Sequence, residues 1–298
     1  GTDYYEYILL YTDDALVVGE HAERILRKEL GRYFELKESS IGSPKIYLGG
    51  NVRKVQLDNG VECWAFGSSQ YVQSAIANVE AYVNKQTTIK WKLPNKAETP
   101  MQTSYRPELD VSPELEPNDA SYYQSLIGIL RWMVELGRVD ICLECSMMSS
   151  HLALPREGHM HQVFHIFAYL KKYHNTELVF DPSDPCIDES DFELQDWTSS
   201  EFGHIQGKEE LPPNMPQPRG IGFTMRAKVD ADHAGDTVTR RSRTGFLVYL
   251  NSSLVCWTSR KQTSVESSSF GSEFVAMKQC CEYLRGLRYK LRMMGIPC

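Results

Sequence analysis

The chain has 298 residues, of which 42% are hydrophobic and 24% charged, shares typical of a globular protein long enough for two domains. No apolar run approaches the roughly 18 residues that a membrane-spanning helix needs, and the start shows no signal-peptide pattern. We therefore expect a fragment of a longer polyprotein that is intracellular, in a cytoplasmic particle or the nucleus, with no membrane segment.

The net charge of −7 is unfavourable for binding nucleic acid, so its distribution along the chain matters. Residues 173–207 contain nine acids and no lysine or arginine, which is typical of a solvated linker. Residues 208–298 contain 14 basic and 8 acidic residues, a net charge of +6. The C-terminal part therefore has the charge that contact with phosphates requires.

The eight cysteines do not follow a metal-binding spacing. Cys142 and Cys145 form one C-x-x-C pair, whereas a structural zinc site normally shows two ligand pairs. We expect these cysteines to be reduced and mostly buried as small apolar side chains.

The first predicted element is a β-hairpin. Apolar residues 7–11 and 15–18 flank a Thr-Asp-Asp turn, and an amphipathic helix is predicted over about 20–34. Short strands are expected around 46–55 and 62–66, joined through an Asn-Gly pair that favours a tight turn.

Helices dominate the middle of the chain, and a second strand-rich region follows. Predicted helices span 68–84, 119–134, 138–152 and 157–173, with an extended connection at 92–118. A proline-rich, acidic break covers 181–220. After it, strands are predicted at 222–231, 244–250 and 253–258, and one long helix at 265–292.

Two adjacent acids, Asp13 and Asp14, stand at the tip of the predicted hairpin. Adjacent carboxylates repel each other, and a divalent cation resolves that conflict because Mg²⁺ prefers oxygen ligands. Two such ions stabilise both the attacking and the leaving oxygen in nucleotidyl transfer. The alternative is an ordinary exposed turn, since aspartate is common in turns.

A second pair of carboxylates, Asp230 and Glu273, is predicted in the C-terminal part. A strand-end aspartate and a helix glutamate that face each other would form half of a cage for two metal ions. Asp232 and Asp236 are nearby alternatives. The competing interpretation is that the aspartates are loop acids and that the helix dipole favours Glu273.

Several segments resemble, in order, the reverse transcriptase and RNase H of copia-type LTR retrotransposons. Tyr11-Thr12-Asp13-Asp14 is similar to motif C of reverse transcriptases. The other matching segments are Ile46-Tyr47-Leu48-Gly49-Gly50, Ser68-Ser69-Gln70-Tyr71-Val72, Glu98-Thr99-Pro100-Met101, Tyr123-Gln124-Ser125-Leu126-Ile127-Gly128, Arg138-Val139-Asp140-Ile141, Val229-Asp230-Ala231-Asp232-His233-Ala234-Gly235-Asp236, Arg240-Arg241-Ser242-Arg243-Thr244-Gly245-Phe246, Cys256-Trp257-Thr258-Ser259-Arg260-Lys261-Gln262 and Ser272-Glu273-Phe274-Val275-Ala276. The resemblance covers essentially the whole chain.

This resemblance implies a mixed α+β fold in four parts. These are a reverse-transcriptase palm remnant with thumb-like helices (1–97), a helical connection (98–180), an acidic linker (181–220) and a partial RNase H-like α/β fold (221–298). It also implies that Asp13 and Asp14 are the motif C pair, with Asp13 the direct ligand. By the same resemblance, Asp230 and Glu273 are the first two RNase H metal ligands.

The implied cofactor is Mg²⁺ or Mn²⁺, in two-metal sites of the parent protein. The implied partners are RNA–DNA hybrid, primer-template nucleic acid and dNTPs. The family's first polymerase aspartate is expected upstream of Gly1, and its remaining RNase H carboxylates beyond Cys298. We therefore expect the chain as written to be inactive. The alternatives are a decayed element or a non-catalytic nucleic-acid-binding remnant.

Departures from the family pattern and two residue clusters remain. Val139 replaces a proline, and Gly271 replaces the first glutamate of Thr-Glu-Ala-Glu. His159, His161 and His165 lack metal partners at a suitable spacing, so we expect a surface-facing cluster on their helix. The remaining cluster suits either primer-template stacking or routine half-burial; its members are Tyr71, Tyr82, Lys85, Lys90, Trp91 and Lys92.

Overall fold

A computed structural model describes residues 4–85, 90–188, 190, 199–201, 203 and 212–298. Within these ranges the fold is mixed, as predicted, with α-helices and three small antiparallel sheets. The strands are β1 (Tyr7–Tyr11), β2 (Asp14–Val18), β3 (Ile46–Tyr47), β4 (Gly50–Gln56), β5 (Glu62–Gly67), β6 (Glu177–Phe180), β7 (Met225–Asp232), β8 (Arg243–Leu250) and β9 (Ser253–Lys261). The helices are α1 (Ala22–Arg24), α2 (Ser69–Asn84), α3 (Pro117–Glu135), α4 (Cys142–Ser149), α5 (Glu157–Lys172) and α6 (Ser269–Met293).

The predicted N-terminal hairpin is confirmed, but the regular helix predicted after it is wrong. Strands β1 and β2 pair antiparallel from Tyr7↔Val18 to Tyr11↔Asp14. The following segment is α-helical only in α1 and continues as a π-helix to Glu29 and a 3-10 helix to Arg32. Most helical stability comes from packing an apolar face, and here Ile25 alone is buried. Regular helix geometry is therefore weakly enforced.

A four-stranded sheet in the order β3-β4-β5-β6 follows the hairpin. Its last strand, β6, was not predicted, because four residues inside an acidic block give too short a pattern. Strand β6 pairs with β5 from Gly67↔Glu177 to Trp64↔Phe180. Arg53 of β4 reaches across to Glu177, with Nη2 2.6 Å from Oε2. A segment expected to be linker thus completes this sheet.

One apolar core joins α2 to α3, α4 and α5. Tyr123, Leu126, Leu130 and Phe164 are fully or almost fully buried in it, together with Val79 from α2. This core therefore crosses the predicted boundary between residues 97 and 98.

Aromatic side chains of the cluster at residues 71–92 pack in or against this core. Trp91 is buried, and the ring of Tyr82 stacks on Tyr122 with a centroid separation of 3.6 Å. The routine-burial interpretation of these two side chains is the one that the structure supports.

The predicted surface-facing histidine cluster on α5 is wrong for two of its three members. His159 and His165 are buried, and only His161 is exposed. The extended connection before α3 packs across α5 and supplies their partners. His159 Nε2 lies 2.9 Å from the carbonyl oxygen of Pro107, and His165 Nε2 lies 2.9 Å from that of Thr99.

The C-terminal sheet has the order β7-β8-β9, and helices cover both of its faces. Phe246 and Val248 of β8 pack with Cys280 of α6 on one face. On the other face, Trp257 Nε1 donates a 3.1 Å hydrogen bond to the carbonyl oxygen of Val134 in α3. The sheet is therefore attached to the helical core as well as to α6.

Part of the predicted acidic linker lies outside the described residues, namely 189, 191–198, 202 and 204–211. In the described ranges, none of the helices combines the length and apolarity that crossing a bilayer requires. All eight cysteines are free thiols, but the expectation that most of them are buried is wrong, and Cys142 and Cys256 are only partly buried. Three are buried (Cys63, Cys145 and Cys280), and Cys186, Cys281 and Cys298 are exposed.

Candidate carboxylate sites

The first candidate site is the tip of the β1–β2 hairpin. The turn between Tyr11 and Asp14 consists of Thr12 and Asp13, and Thr12 has a φ of +54°. Asp13 and Asp14 are both exposed. Two carboxylates at an exposed tight turn are accessible to a cation and to phosphates.

Tyr47 of the β3–β4 hairpin is within electrostatic range of this tip. Burial, followed by the nearby charge of Asp14 and the nearby Tyr11, raises the pKa of Tyr47 above its ordinary value. Its hydroxyl oxygen is buried without a hydrogen-bond partner among the described residues. The structure thus brings together two segments, 11–14 and 46–50, that the sequence shows only as separate motifs.

The second candidate site begins at Asp230, near the end of β7. Asp230 pairs with Gly245 and is exposed, while its neighbour Val229 pairs with Phe246. Directly paired residues share a face of the sheet, and Phe246 packs against α6. The Asp230 side chain therefore lies on the face opposite α6.

Glu273 lies near the start of α6 and is exposed. Its neighbour Ser272 is fully buried, and the hydroxyl of Ser272 lies 3.1 Å from Nδ1 of His233, directly after β7. The end of β7 and the first turn of α6 are thus in contact. Because Asp230 lies on the other face, the two carboxylates can meet only around the edge of β7, and their proximity remains a prediction.

Asp230 lines a groove between the C-terminal sheet and α4. The groove has a volume of about 380 Å³. Its floor includes Leu247 and Trp257, and Lys228 and Arg243 line it beside the carboxylate. Arg243 Nη1 donates to the hydroxyl of Ser146 in α4 at 2.7 Å, which fixes the guanidinium at the wall. The groove thus combines apolar walls with two cations next to Asp230.

Asp232 and Asp236, the two alternatives to Asp230, have different surroundings. Burial alone would raise the pKa of Asp236, but hydrogen bonds from Lys261 and Thr239 and the positive charge of Lys261 hold it at about 2. Asp236 is therefore occupied in an internal ion pair. Asp232 pairs with Arg243 across the strands and lines the same groove as Asp230.

Carboxylates of this kind are suitable ligands for Mg²⁺ or Mn²⁺, but each candidate site has too few of them to hold an ion fully. Carboxylate oxygens are the ligands these cations prefer. Among the residues that the structure describes, no group of three or more His, Cys, Asp or Glu side chains is arranged to hold a metal ion. Each pair fits part of a metal site.

The base of the β1–β2 hairpin and the second candidate site lie at opposite ends of α6. The Tyr7 hydroxyl donates to the carbonyl oxygen of Met294 at 3.0 Å, so the hairpin packs against the C-terminal end of the helix. Glu273 is near the N-terminal end. At 1.5 Å per residue, the helix separates Glu273 from Met294 by roughly 30 Å.

Sequence reasoning missed a set of buried polar residues beside the second site. They are Ser242, Thr244, Gln262 and Ser272, each with 1% or less of its surface exposed. All of them stand inside the motifs that the resemblance identified. Polar side chains at the ends of predicted strands and near the start of a predicted helix were the available signal, but their contacts could be identified only from the fold.

Comparison with known proteins identifies relatives that cover almost the whole chain. The retrovirus-related Pol polyprotein from transposon TNT 1-94 of Nicotiana tabacum is 22% identical over 97% of this chain and 18% of its own length. The corresponding polyprotein from transposon RE2 of Arabidopsis thaliana is 22% identical over 97% of this chain and 16% of its own length. An uncharacterized mitochondrial protein of Arabidopsis thaliana is 22% identical over 91% of this chain and 90% of its own length.

The chain therefore spans less than a fifth of the length of these two polyproteins. No protein-family profile matches the chain. No solved structure matches it either.

Proposed function

We propose, from this homology to the retrovirus-related Pol polyproteins of copia-type transposons, that the chain is part of an RNA-directed DNA polymerase with an RNase H domain. One observation carries the proposal beyond the homology: motif-bearing segments that are distant in sequence come together in space. The charge of Asp14 at the hairpin tip reaches Tyr47 and raises its pKa, and the end of β7 contacts the first turn of α6 through His233 and Ser272.

In this proposal the two carboxylate pairs have separate tasks. Asp13 and Asp14 hold the metal of the polymerase site, and Asp230 and Glu273 hold that of the RNase H site. The bound Mg²⁺ or Mn²⁺ ions would stabilise the charge on the attacking and leaving oxygens of phosphoryl transfer. Asp13 and Asp14 lie at an exposed turn, Asp230 near the end of β7, and Glu273 near the start of α6.

The proposed partners are primer-template nucleic acid, RNA–DNA hybrid and, in the parent protein, dNTPs. Residues 208–298 carry the net charge of +6 that phosphate contact requires. In the groove beside Asp230, Lys228 and Arg243 supply positive charge at the proposed site of hydrolysis.

The chain by itself is proposed to be inactive in both reactions. Two-metal catalysis needs enough carboxylates to hold both ions against their mutual repulsion, and the described residues supply only a pair at each site. This same observation favours the second candidate function, a non-catalytic nucleic-acid-binding remnant.

The test begins with binding and cleavage by the purified 298-residue chain. We expect its affinity for RNA–DNA hybrid to fall as salt rises from about 50 to 200 mM, because released counterions drive such binding. Affinity that does not change with salt would contradict the electrostatic argument. We expect neither primer extension nor hybrid cleavage with Mg²⁺ or Mn²⁺.

A second arm separates the catalytic proposal from the remnant. Joining the chain to the segment that follows the aligned region in the TNT 1-94 polyprotein should produce hybrid cleavage that Asp230→Asn and Glu273→Gln abolish. Glu282→Gln is the matched control, because Glu282 is an exposed glutamate on the same helix. An extended chain that binds hybrid and never cleaves it would favour the remnant.

A further inference from the structure

Four motifs of the C-terminal part meet at one buried polar cluster. Ser242 directly precedes β8 and Thr244 lies at its start, Gln262 follows β9, and Ser272 stands at the start of α6. All four are at most 1% exposed. Burying polar groups is costly unless they are hydrogen-bonded, so the cluster demands a structural or functional reason.

Gln262 is the centre of this cluster. Its Nε2 donates to the hydroxyl of Thr244 at 3.1 Å and to the main-chain carbonyl oxygen of Ser272 at 2.9 Å. A carbonyl oxygen only accepts hydrogen bonds, so the amide group must direct its nitrogen, and not its oxygen, toward α6. The main-chain nitrogen of Gln262 donates to the carbonyl oxygen of Ser242 at 2.8 Å.

The cluster extends to the end of β7. The Ser242 hydroxyl accepts from the main-chain nitrogen of Ala234 at 3.0 Å. The Ser272 hydroxyl donates its one hydrogen to the carbonyl oxygen of Ser269 at 2.8 Å, so His233 Nδ1 is the donor in its 3.1 Å contact with Ser272. One connected set of hydrogen bonds therefore joins β7, β8, β9 and α6.

We propose that Gln262 is a positioning residue for the second carboxylate site. It fixes Ser272, the residue directly before Glu273, against the strands that place Asp230. The inference rests on the proposed function, because it assigns Gln262 to the metal site formed by Asp230 and Glu273. Gln262 touches neither substrate nor metal in this proposal; it acts through the first turn of α6.

The test measures Mn²⁺ binding to the full chain by the electron paramagnetic resonance signal of free Mn²⁺. All variants carry Asp13→Asn and Asp14→Asn, which remove the other proposed metal site, and the original chain in these comparisons carries the same two changes. Gln262→Met keeps the length of the side chain and removes both donors. Supporting groups around a metal site change affinity by about 10- to 100-fold, so we expect Mn²⁺ affinity to fall about tenfold. Gln279→Met is the matched control, because Gln279 lies on α6 outside this cluster, and it should bind Mn²⁺ as the original chain does.

A second measurement separates positioning from general destabilisation. Hydrogen exchange should accelerate at residues 269–276 in Gln262→Met, while the core of α3 and α5 keeps its protection. If Gln262→Met does not fold, Thr244→Val, which removes one acceptor, should give a smaller loss of affinity in the same direction. A folded Gln262→Met or Thr244→Val chain with unchanged Mn²⁺ affinity would overturn the proposal.

Failure of the underlying function gives a different result. If the double variant Asp230→Asn with Glu273→Gln binds Mn²⁺ as the original chain does, these carboxylates hold no metal. The proposed RNase H site and the positioning role then both fail. If the double variant loses binding and Gln262→Met does not, only the positioning role of Gln262 fails.

Discussion

Replacing either member of the Arg138–Asp140 pair should destabilise the chain by very different amounts. The Arg138 side chain is 1% exposed and Asp140 is 28% exposed. Arg138 Nε and Nη2 donate to the two carboxylate oxygens at 2.9 and 2.6 Å. Asp140 also accepts from the Tyr169 hydroxyl at 3.0 Å. The buried charge of Arg138 therefore needs Asp140 as its partner, whereas Asp140 is partly solvated and has a second hydrogen bond.

The magnitudes follow from this asymmetry. Asp140→Ala leaves a buried guanidinium without its acceptor, and removing one partner of a buried pair costs about 3–5 kcal/mol. Arg138→Met fills a similar volume and leaves a partly solvated carboxylate that keeps its bond from Tyr169. We expect it to cost about 1–2 kcal/mol, since Nη1 is already buried without a partner among the described residues.

The assay is urea unfolding of the full chain, followed by far-ultraviolet circular dichroism. The double variant should be close to Arg138→Met alone, because removing the arginine removes the uncompensated charge. If Asp140→Ala lowers the free energy of unfolding no more than Arg138→Met does, the reasoning is refuted. Since Arg138 and Asp140 belong to one of the family-like motifs, confirmation would assign that motif to folding rather than to chemistry.

Two further predictions concern pH and packing. Burial, followed by the neighbouring His159, lowers the pKa of His151 to about 4. The unfolded chain therefore binds the proton first, so stability present above pH 6.5 should be lost as pH falls toward 4. His151→Gln should flatten that slope in pH-dependent urea unfolding, and an unchanged slope would exclude His151 as its source. A methyl group on Gly50 would lie 2.1 Å from Cζ of Phe66, so Gly50→Ala should cost about 1–3 kcal/mol in thermal unfolding, partly recovered by Phe66→Leu. Gly128→Ala is the control, because its methyl group meets nothing within 4 Å, and an equal loss there would contradict the packing argument.

Hydrophobic periodicity predicted the long elements well because each buries one continuous apolar face. The predicted helix at 68–84 is α2 at Ser69–Asn84, and that at 157–173 is α5 at Glu157–Lys172. Periodicity failed where burial depends on distant partners. Strand β6 is recognisable only beside β5, and the segment after the hairpin lacks the packing that a regular helix needs.

The candidate sites also contain features that depend on local sequence and features that depend on distant partners. The hairpin tip is a local feature, so the exposed positions of Asp13 and Asp14 could be predicted from the turn itself. The face on which Asp230 lies depends on the register of β7 with β8, which no motif contains. The partners of His159 and His165 are carbonyl oxygens of the extended connection, and spacing along α5 could not reveal them.

Helix α6 connects the base of the N-terminal hairpin with the turn that carries Glu273. Its N-terminal turn is held by Gln262 and Ser272, and its C-terminal end is held by Tyr7 through Met294. The rise per residue of an α-helix is fixed, so the base of the hairpin and the first turn of α6 are roughly 30 Å apart. Loosening either end should therefore displace one site without displacing the other, because each end has its own set of hydrogen bonds.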